Sequence, residues 1–216
     1  MADRRRTQGC LLPIGLVLVV VLGTLAALRV LPDGPPPEQF VIGDSVTYMA
    51  AGSIQQRFDP NHLQFIAKPG FPTPLLVPLV KEAMATSGEP AHARERVAVL
   101  VGYNDVRVRG LDTPALPELA KLASEFECGV FLTVPARPSG VSVDNAIVKS
   151  ELVDQWNLRL RAEVAKYPNL HVSDEWERAV DDAGKGELLK ADEVHPNRVG
   201  QARLAEIYRN AIDENC

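Results

Sequence analysis

The chain has 216 residues and a formal net charge of −5, with 46% hydrophobic and 24% charged residues. That composition suits a globular chain with enough sequence for one full core, and its acidic balance argues against a nucleic-acid partner, which needs a basic face. The four histidines and three cysteines lack the short ligand spacing of a zinc site, so no structural metal is expected; no cofactor is expected either.

The N-terminus differs from the rest. Residues 1–10 are a basic segment carrying Arg4, Arg5 and Arg6. Residues 11–31 form an apolar run, unbroken by charge over its first 18 residues and then extended past Arg29 by Val30 and Leu31. At ~1.5 Å rise per residue, such a helix nearly spans a ~30 Å hydrocarbon core. A retained transmembrane signal anchor is expected, with the arginines left in the cytoplasm and the rest exported. The alternative is secretion after signal-peptide cleavage, for which Ala26 and Ala27 sit suitably but Arg29 and Val30 continue poorly. A lipoprotein would need a cysteine just after the run, and Cys10 lies before it. Residues 32–38 read PDGPPPE, a stiff spacer that marks the domain boundary before residues 39–216. In an exported domain Cys128 and Cys216 can pair or remain two thiols, and Cys10 is on the other side of the membrane.

Beyond the spacer, strand and helix patterns alternate. Residues 39–42 form a short strand ending at Gly43, followed by a helix over 47–58 and a strand over 63–67. Residues 75–86 are apolar at helical spacing (Leu75, Leu79, Val80, Ala83, Met84), with Pro78 early in the run. The strand at 96–101 carries VAVLV, without the polar alternation of a half-exposed strand. A helix at 117–127, a strand at 129–134, a long helix at 149–167, a short strand at 170–172 and a closing helix at 196–212 complete the pattern. The long helix puts Leu152, Trp156, Leu160 and Val164 on one stripe, and the last turns Leu204, Ile207, Tyr208 and Ala211 inward. This alternation predicts an α/β fold, a parallel sheet with helices on both faces. Active sites in such sheets form at the carboxyl ends of the strands.

Three short strings fall at those ends: Gly43-Asp44-Ser45, then Gly102-Tyr103-Asn104-Asp105, then Asp192-Glu193-Val194-His195. Ser45 lies between a strand and a helix, where it can be exposed at the sheet edge; otherwise it or Thr47 is a helix N-cap. A serine becomes a nucleophile when a base takes its proton. His195 can be that base, and Asp192, three residues earlier, can orient its imidazole. The other reading of this pair is a surface turn at a helix start. Asn104 can offer its amide to an oxyanion, or be a turn residue. Gly70 can offer a backbone N–H, or serve a plain Pro-Gly turn. Arg107, in the loop with Asn104, suits a substrate carrying negative charge near the reacting group, or is a solvated arginine beside Arg109.

These strings, in this order, resemble the blocks of the SGNH (GDSL-type) serine hydrolase family over about residues 40–212. The first block matches Gly43 to Thr47, the second Gly70, the third Gly102, Asn104 and Asp105, and the last Asp192 and His195 with Pro196 following. Trp156-Asn157 with Leu160-Arg161, and then Val172-Ser173-Asp174, also resemble family segments. The resemblance implies a flavodoxin-like three-layer α/β/α sandwich and metal-free ester chemistry through an acyl-serine. Catalytic roles fall on Ser45, Asp192 and His195, with Ser45, Gly70 and Asn104 as the oxyanion hole. The expected function is hydrolysis of a small-molecule, lipid or glycan-borne ester at the outer face of the membrane. The alternatives are O-acyl transfer to a cell-envelope glycan and, in another class, a membrane-tethered binding module without turnover. Acyl group, acceptor and protein partners are not specified.

Overall fold

The computed structural model describes residues 39–86, 94–109, 114–136, 141–143, 146–148, 150–184 and 186–216. The basic segment, the apolar run at 11–31 expected to be an anchor, and the spacer at 32–38 lie outside these residues. No helix among the described residues is long and apolar enough to cross a membrane.

In chain order the elements are β1 (Gln39–Gly43), α1 (Ser45–Met49), α2 (Ala51–Gln55), β2 (Leu63–Ala67), α3 (Thr73–Thr86), β3 (Arg96–Leu100), α4 (Tyr103–Arg109) and α5 (Ala115–Ala123). They continue with β4 (Cys128–Leu132), β5 (Val141–Val143), β6 (Ala146–Val148), α6 (Ser150–Val164), β7 (Leu170–Ser173), α7 (Glu175–Asp182) and α8 (Arg198–Asn215). Five strands form one parallel sheet in the order β2-β1-β3-β4-β7. With β5 and β6 in a separate antiparallel hairpin, this is the flavodoxin-like order, whose switch point lies between β1 and β3.

The apolar strand runs have the expected cause. Phe40, Val41, Ile42 and Val97 to Val101 are all essentially inaccessible, because helices cover both sides of the sheet. On one side α3 packs on α5 and α5 on α6; on the other α2 and α7 pack against α8, which also lies on β3 and β4. Trp156, Leu160, Leu204, Ile207 and Tyr208 fill these two layers. Gly43 pairs with Ala67 on one side and Leu100 on the other. The carboxyl ends of β1, β2 and β3 are therefore level, and the segments after them share one edge.

Several expectations need correction. The helix expected at 47–58 begins at Ser45 and breaks at Ala50, whose N–H turns back to the Thr47 carbonyl. Leu75 is 51% exposed. The helix starts at Thr73 and runs through Pro78, burying Val80 and Met84 as expected together with Leu76 and Val77, while Leu79 and Ala83 pack half-buried against the core. The segment read as a loop around Asn104 and Arg107 is helix α4. The closing helix starts at Arg198, with Asn197 as its cap, and not at Pro196. The hairpin β5–β6 and helix α7 were not expected. Cys128 and Cys216 are joined in a disulfide, with Cα atoms 5.7 Å apart.

Candidate active site

The turn from β1 into α1 presents Ser45. A Cβ added to Gly43 would lie 2.0 Å from Thr47 Oγ1, so the strand can enter this tight turn only without a side chain. Asp44, buried and extended, is the N-cap: its Oδ1 accepts the Val46 N–H at 3.0 Å. Neither Ser45 nor Thr47 therefore serves as cap. The Thr47 hydroxyl is paired with the buried Tyr208 hydroxyl at 2.8 Å. Ser45 Oγ lies 2.9 Å from His195 Nε2.

His195 and Asp192 come from the loop between α7 and α8. Asp192 Oδ2 is 2.8 Å from His195 Nδ1. Its Oδ1 accepts the backbone N–H groups of Val194 and His195 at 3.0 and 2.9 Å. Burial alone would raise the Asp192 pKa, but the bonds from the His195 backbone and ring and the Val194 N–H outweigh it, so the carboxyl is held below its ordinary value. Asp192 is thus ionised wherever a neutral imidazole can act. Glu193, between them, has φ 56°, a left-handed conformation uncommon for a side chain of this kind. That conformation turns the chain back, so that two residues three apart meet.

Asn104 stands in the first turn of α4, just past β3. Its side chain is buried and Nδ2 has no hydrogen-bond partner, although the amide faces the Asp44 carboxyl closely enough to lower its pKa slightly. A buried donor without a partner costs stability, and a bound atom that completes its set is one explanation of such an orphan. Asp44 itself is pushed up to about 7, mainly by burial, against the help of the Val46 N–H, with the Asp105 carboxylate adding to the rise and His195 opposing it. Asp105 clamps the start of α3. Its two oxygens accept the Thr73 N–H at 2.9 and 3.1 Å, and Oδ2 also accepts the Thr73 hydroxyl at 2.9 Å. The segment between β2 and that clamp holds Gly70, which is exposed and has φ 75°. Arg107 is half-buried on α4, one turn from Asn104 and on the same helix face.

Residues behind the site fix these strand ends. Gly102 has φ 150°, and a Cβ there would meet Trp156 Nε1 at 2.4 Å. That indole donates to the Val101 carbonyl at 3.0 Å. Asn157 accepts the Val134 N–H at 3.0 Å and donates to the Val134 carbonyl at 2.8 Å. So Trp156 and Asn157 hold the ends of β3 and β4. The structure therefore joins Ser45, His195 and Asp192 in one hydrogen-bonded relay and puts Asn104 and Gly70 on neighbouring strand ends. Sequence reading missed Asp44 as cap, Thr73 and Asn197. Asn197 had a usable signal, an asparagine immediately before an apolar helical run.

The arrangement can pass a proton from Ser45 Oγ to His195 Nε2 while Asp192 holds the imidazole, with a buried amide donor nearby. The described residues have the three-layer α/β/α fold of the SGNH, or GDSL-like, acylhydrolases. A GDSL-like lipase from Bacteroides thetaiotaomicron shares it with a TM-score of 0.65 and 15% identity, over 92% of this chain and 98% of the other. A member of the lipolytic G-D-S-L family from Veillonella parvula gives a TM-score of 0.59 and 19% identity, over 80% and 95%. The C-terminal catalytic domain of peptidoglycan O-acetyltransferase A from Streptococcus pneumoniae gives 0.57 and 17%, over 84% and 96%. No family model matches the sequence, and no curated relative matches it significantly.

Proposed function

We propose that this chain is a serine esterase of the SGNH type, acting through an acyl-Ser45 intermediate on a small-molecule, lipid or glycan-borne ester. The observation that carries the reading is the Ser45–His195–Asp192 relay, built from segments 150 residues apart. Ser45 Oγ attacks the ester carbonyl and its proton passes to His195 Nε2, while Nδ1–H stays on the Asp192 carboxylate. The negative charge moves to the carbonyl oxygen, where Asn104 Nδ2 donates, together with the backbone N–H groups of Ser45 and Gly70. Collapse expels the alcohol, which takes the proton from His195. Water then attacks the acyl-serine as His195 takes its proton, and collapse releases the acid while His195 returns that proton to Ser45 Oγ. Arg107, on the Asn104 face of α4, favours esters with a nearby negative charge.

If an acceptor alcohol replaces water in the second half, the same residues perform O-acyl transfer to an envelope glycan. The fold likeness to an O-acetyltransferase domain favours keeping this second reading. Cell placement is part of the proposal. The apolar run at 11–31 anchors the chain in a membrane, and the domain lies outside the cytoplasm. The Cys128–Cys216 disulfide supports that side, because such bonds persist in oxidising compartments.

Ser45→Ala tests the reading. Expected is an unchanged fold with hydrolysis of a short-chain aryl ester removed, and comparable damage from His195→Ala, since members of such a relay act as a unit. Equal turnover by Ser45→Ala and the parent would end the esterase reading, because the hydrolysis would then not pass through Ser45.

A further inference from the structure

We propose that Asn197 is the positioning residue that fixes where His195 meets Ser45, an inference that rests on the esterase reading. Residues 186–196 leave the fold after α7, carry Asp192 and His195 outward, and return to the start of α8. Both arms of this loop are tied at one point. The Asn197 backbone N–H donates to the Leu188 carbonyl at 2.9 Å. Its Nδ2 lies 2.8, 3.0 and 3.3 Å from the carbonyls of Gly186, Glu187 and Leu189. Its Oδ1 accepts the N–H groups of Val199 and Gly200 at 2.9 and 3.0 Å.

One side chain therefore joins the outgoing arm to the first turn of an 18-residue helix whose position is set by Leu204, Ile207 and Tyr208 in the core. The task needs donors and an acceptor on one short side chain, which asparagine has and aspartate lacks. The helix side of the joint is equally tight. A Cβ at Gly200 would lie 1.9 Å from the Leu188 carbonyl oxygen. Above the joint the arms stay paired through the Leu189–Pro196 bridge and through Lys190 N–H to the His195 carbonyl at 2.8 Å. His195 is thus held to the core through two short, hydrogen-bonded arms whose spacing Asn197 sets. Asn197 touches neither Ser45 nor Asp192 in this arrangement, so its effect on chemistry runs through the histidine.

The test uses the full chain with Asn197→Asp and Asn197→Ser. Both keep an oxygen that can cap α8 and remove the amide that spans the carbonyls. Expected is a kcat lowered roughly 10- to 100-fold with KM within about twofold, since a misplacement of ~1 Å at a reacting group costs up to about 10². Thermal unfolding identifies a temperature at which the variants are fully folded, and kinetics are measured there. Parental kcat in either folded variant overturns the proposal. So does a loss of activity that only follows the unfolded fraction. Failure of both variants to fold overturns it too, because Asn197 would then hold the fold and not the histidine. Activity in Ser45→Ala, measured alongside, strikes the esterase reading instead.

Discussion

Ser45 has its hydroxyl available for His195 because Asp44 has taken the capping role. Asn104 presents the complementary case, a buried amide donor that faces the Asp44 carboxyl but makes no hydrogen bond of ordinary geometry. If that donor serves the oxyanion, its contact is stronger in the transition state than in the ground state. Asn104→Ala should then lower kcat by ~10²–10³ with KM nearly unchanged and no fall in melting temperature. A lower melting temperature with full kcat in the folded fraction would return Asn104 to a turn role. Asp44 gives a pH signature. Its carboxyl is pushed up to about 7 by burial, whereas the unfolded chain titrates near ~3.9. The folded state therefore binds a proton that the unfolded state has released. The stability this contributes is full below about pH 4 and is lost as pH rises through about 7, with an upper bound of about 4 kcal/mol. Asp44→Asn keeps an acceptor for the Val46 N–H and removes the titration. Urea unfolding should show the parent losing stability relative to the variant between pH 4 and 7. A parent–variant difference that is the same at pH 4 and pH 8 would contradict this.

At the level of elements, the central strands β1, β3 and β4 were legible because their runs are apolar and buried on both faces, whereas the edge strands β2 and β7, partly buried and carrying Gln64 and His171, were legible from their place between helical patterns. Helix α4 was not legible. Asn104-Asp105 is common turn chemistry, and the segment is held as a helix by partners distant in sequence, the Asp105 clamp on Thr73 and the Tyr103 hydroxyl on the Pro135 carbonyl. In α3 only Leu75 was misplaced, at 51% exposed, because an apolar run does not itself record which of its residues the fold leaves at the surface. Helix α7 did carry a signal, with Trp176 and Val180 four apart and both buried, but eight residues are few for periodicity to stand out. For the site, Asp192 and His195 were readable because they meet within one turn of chain. The orphaned Asn104 amide and the three-carbonyl grip of Asn197 depend on what the fold brings near, so the residue types alone could not supply them.

Over the whole molecule, strand order explains why this edge carries the site. With β1 and β3 adjacent at the switch point, the segments bearing Ser45 and Asn104 leave the sheet side by side, and α8 brings the His195 loop over them. The disulfide lies away from this edge, since Cys128 begins β4 at its amino end. It closes a loop of 88 residues, for which chain entropy suggests about 4–5 kcal/mol. The double variant Cys128→Ser, Cys216→Ser should lose about that much in denaturant unfolding while its folded form keeps parental kcat. An unchanged midpoint, or a folded but inactive variant, would contradict that separation. The relay itself is tested most directly by fluorophosphonate labelling followed by peptide mass spectrometry. Expected is a single adduct on Ser45, absent in Ser45→Ala and strongly slowed in His195→Ala. An adduct on another residue, or undiminished labelling of Ser45→Ala, would show that Ser45 is not the nucleophile.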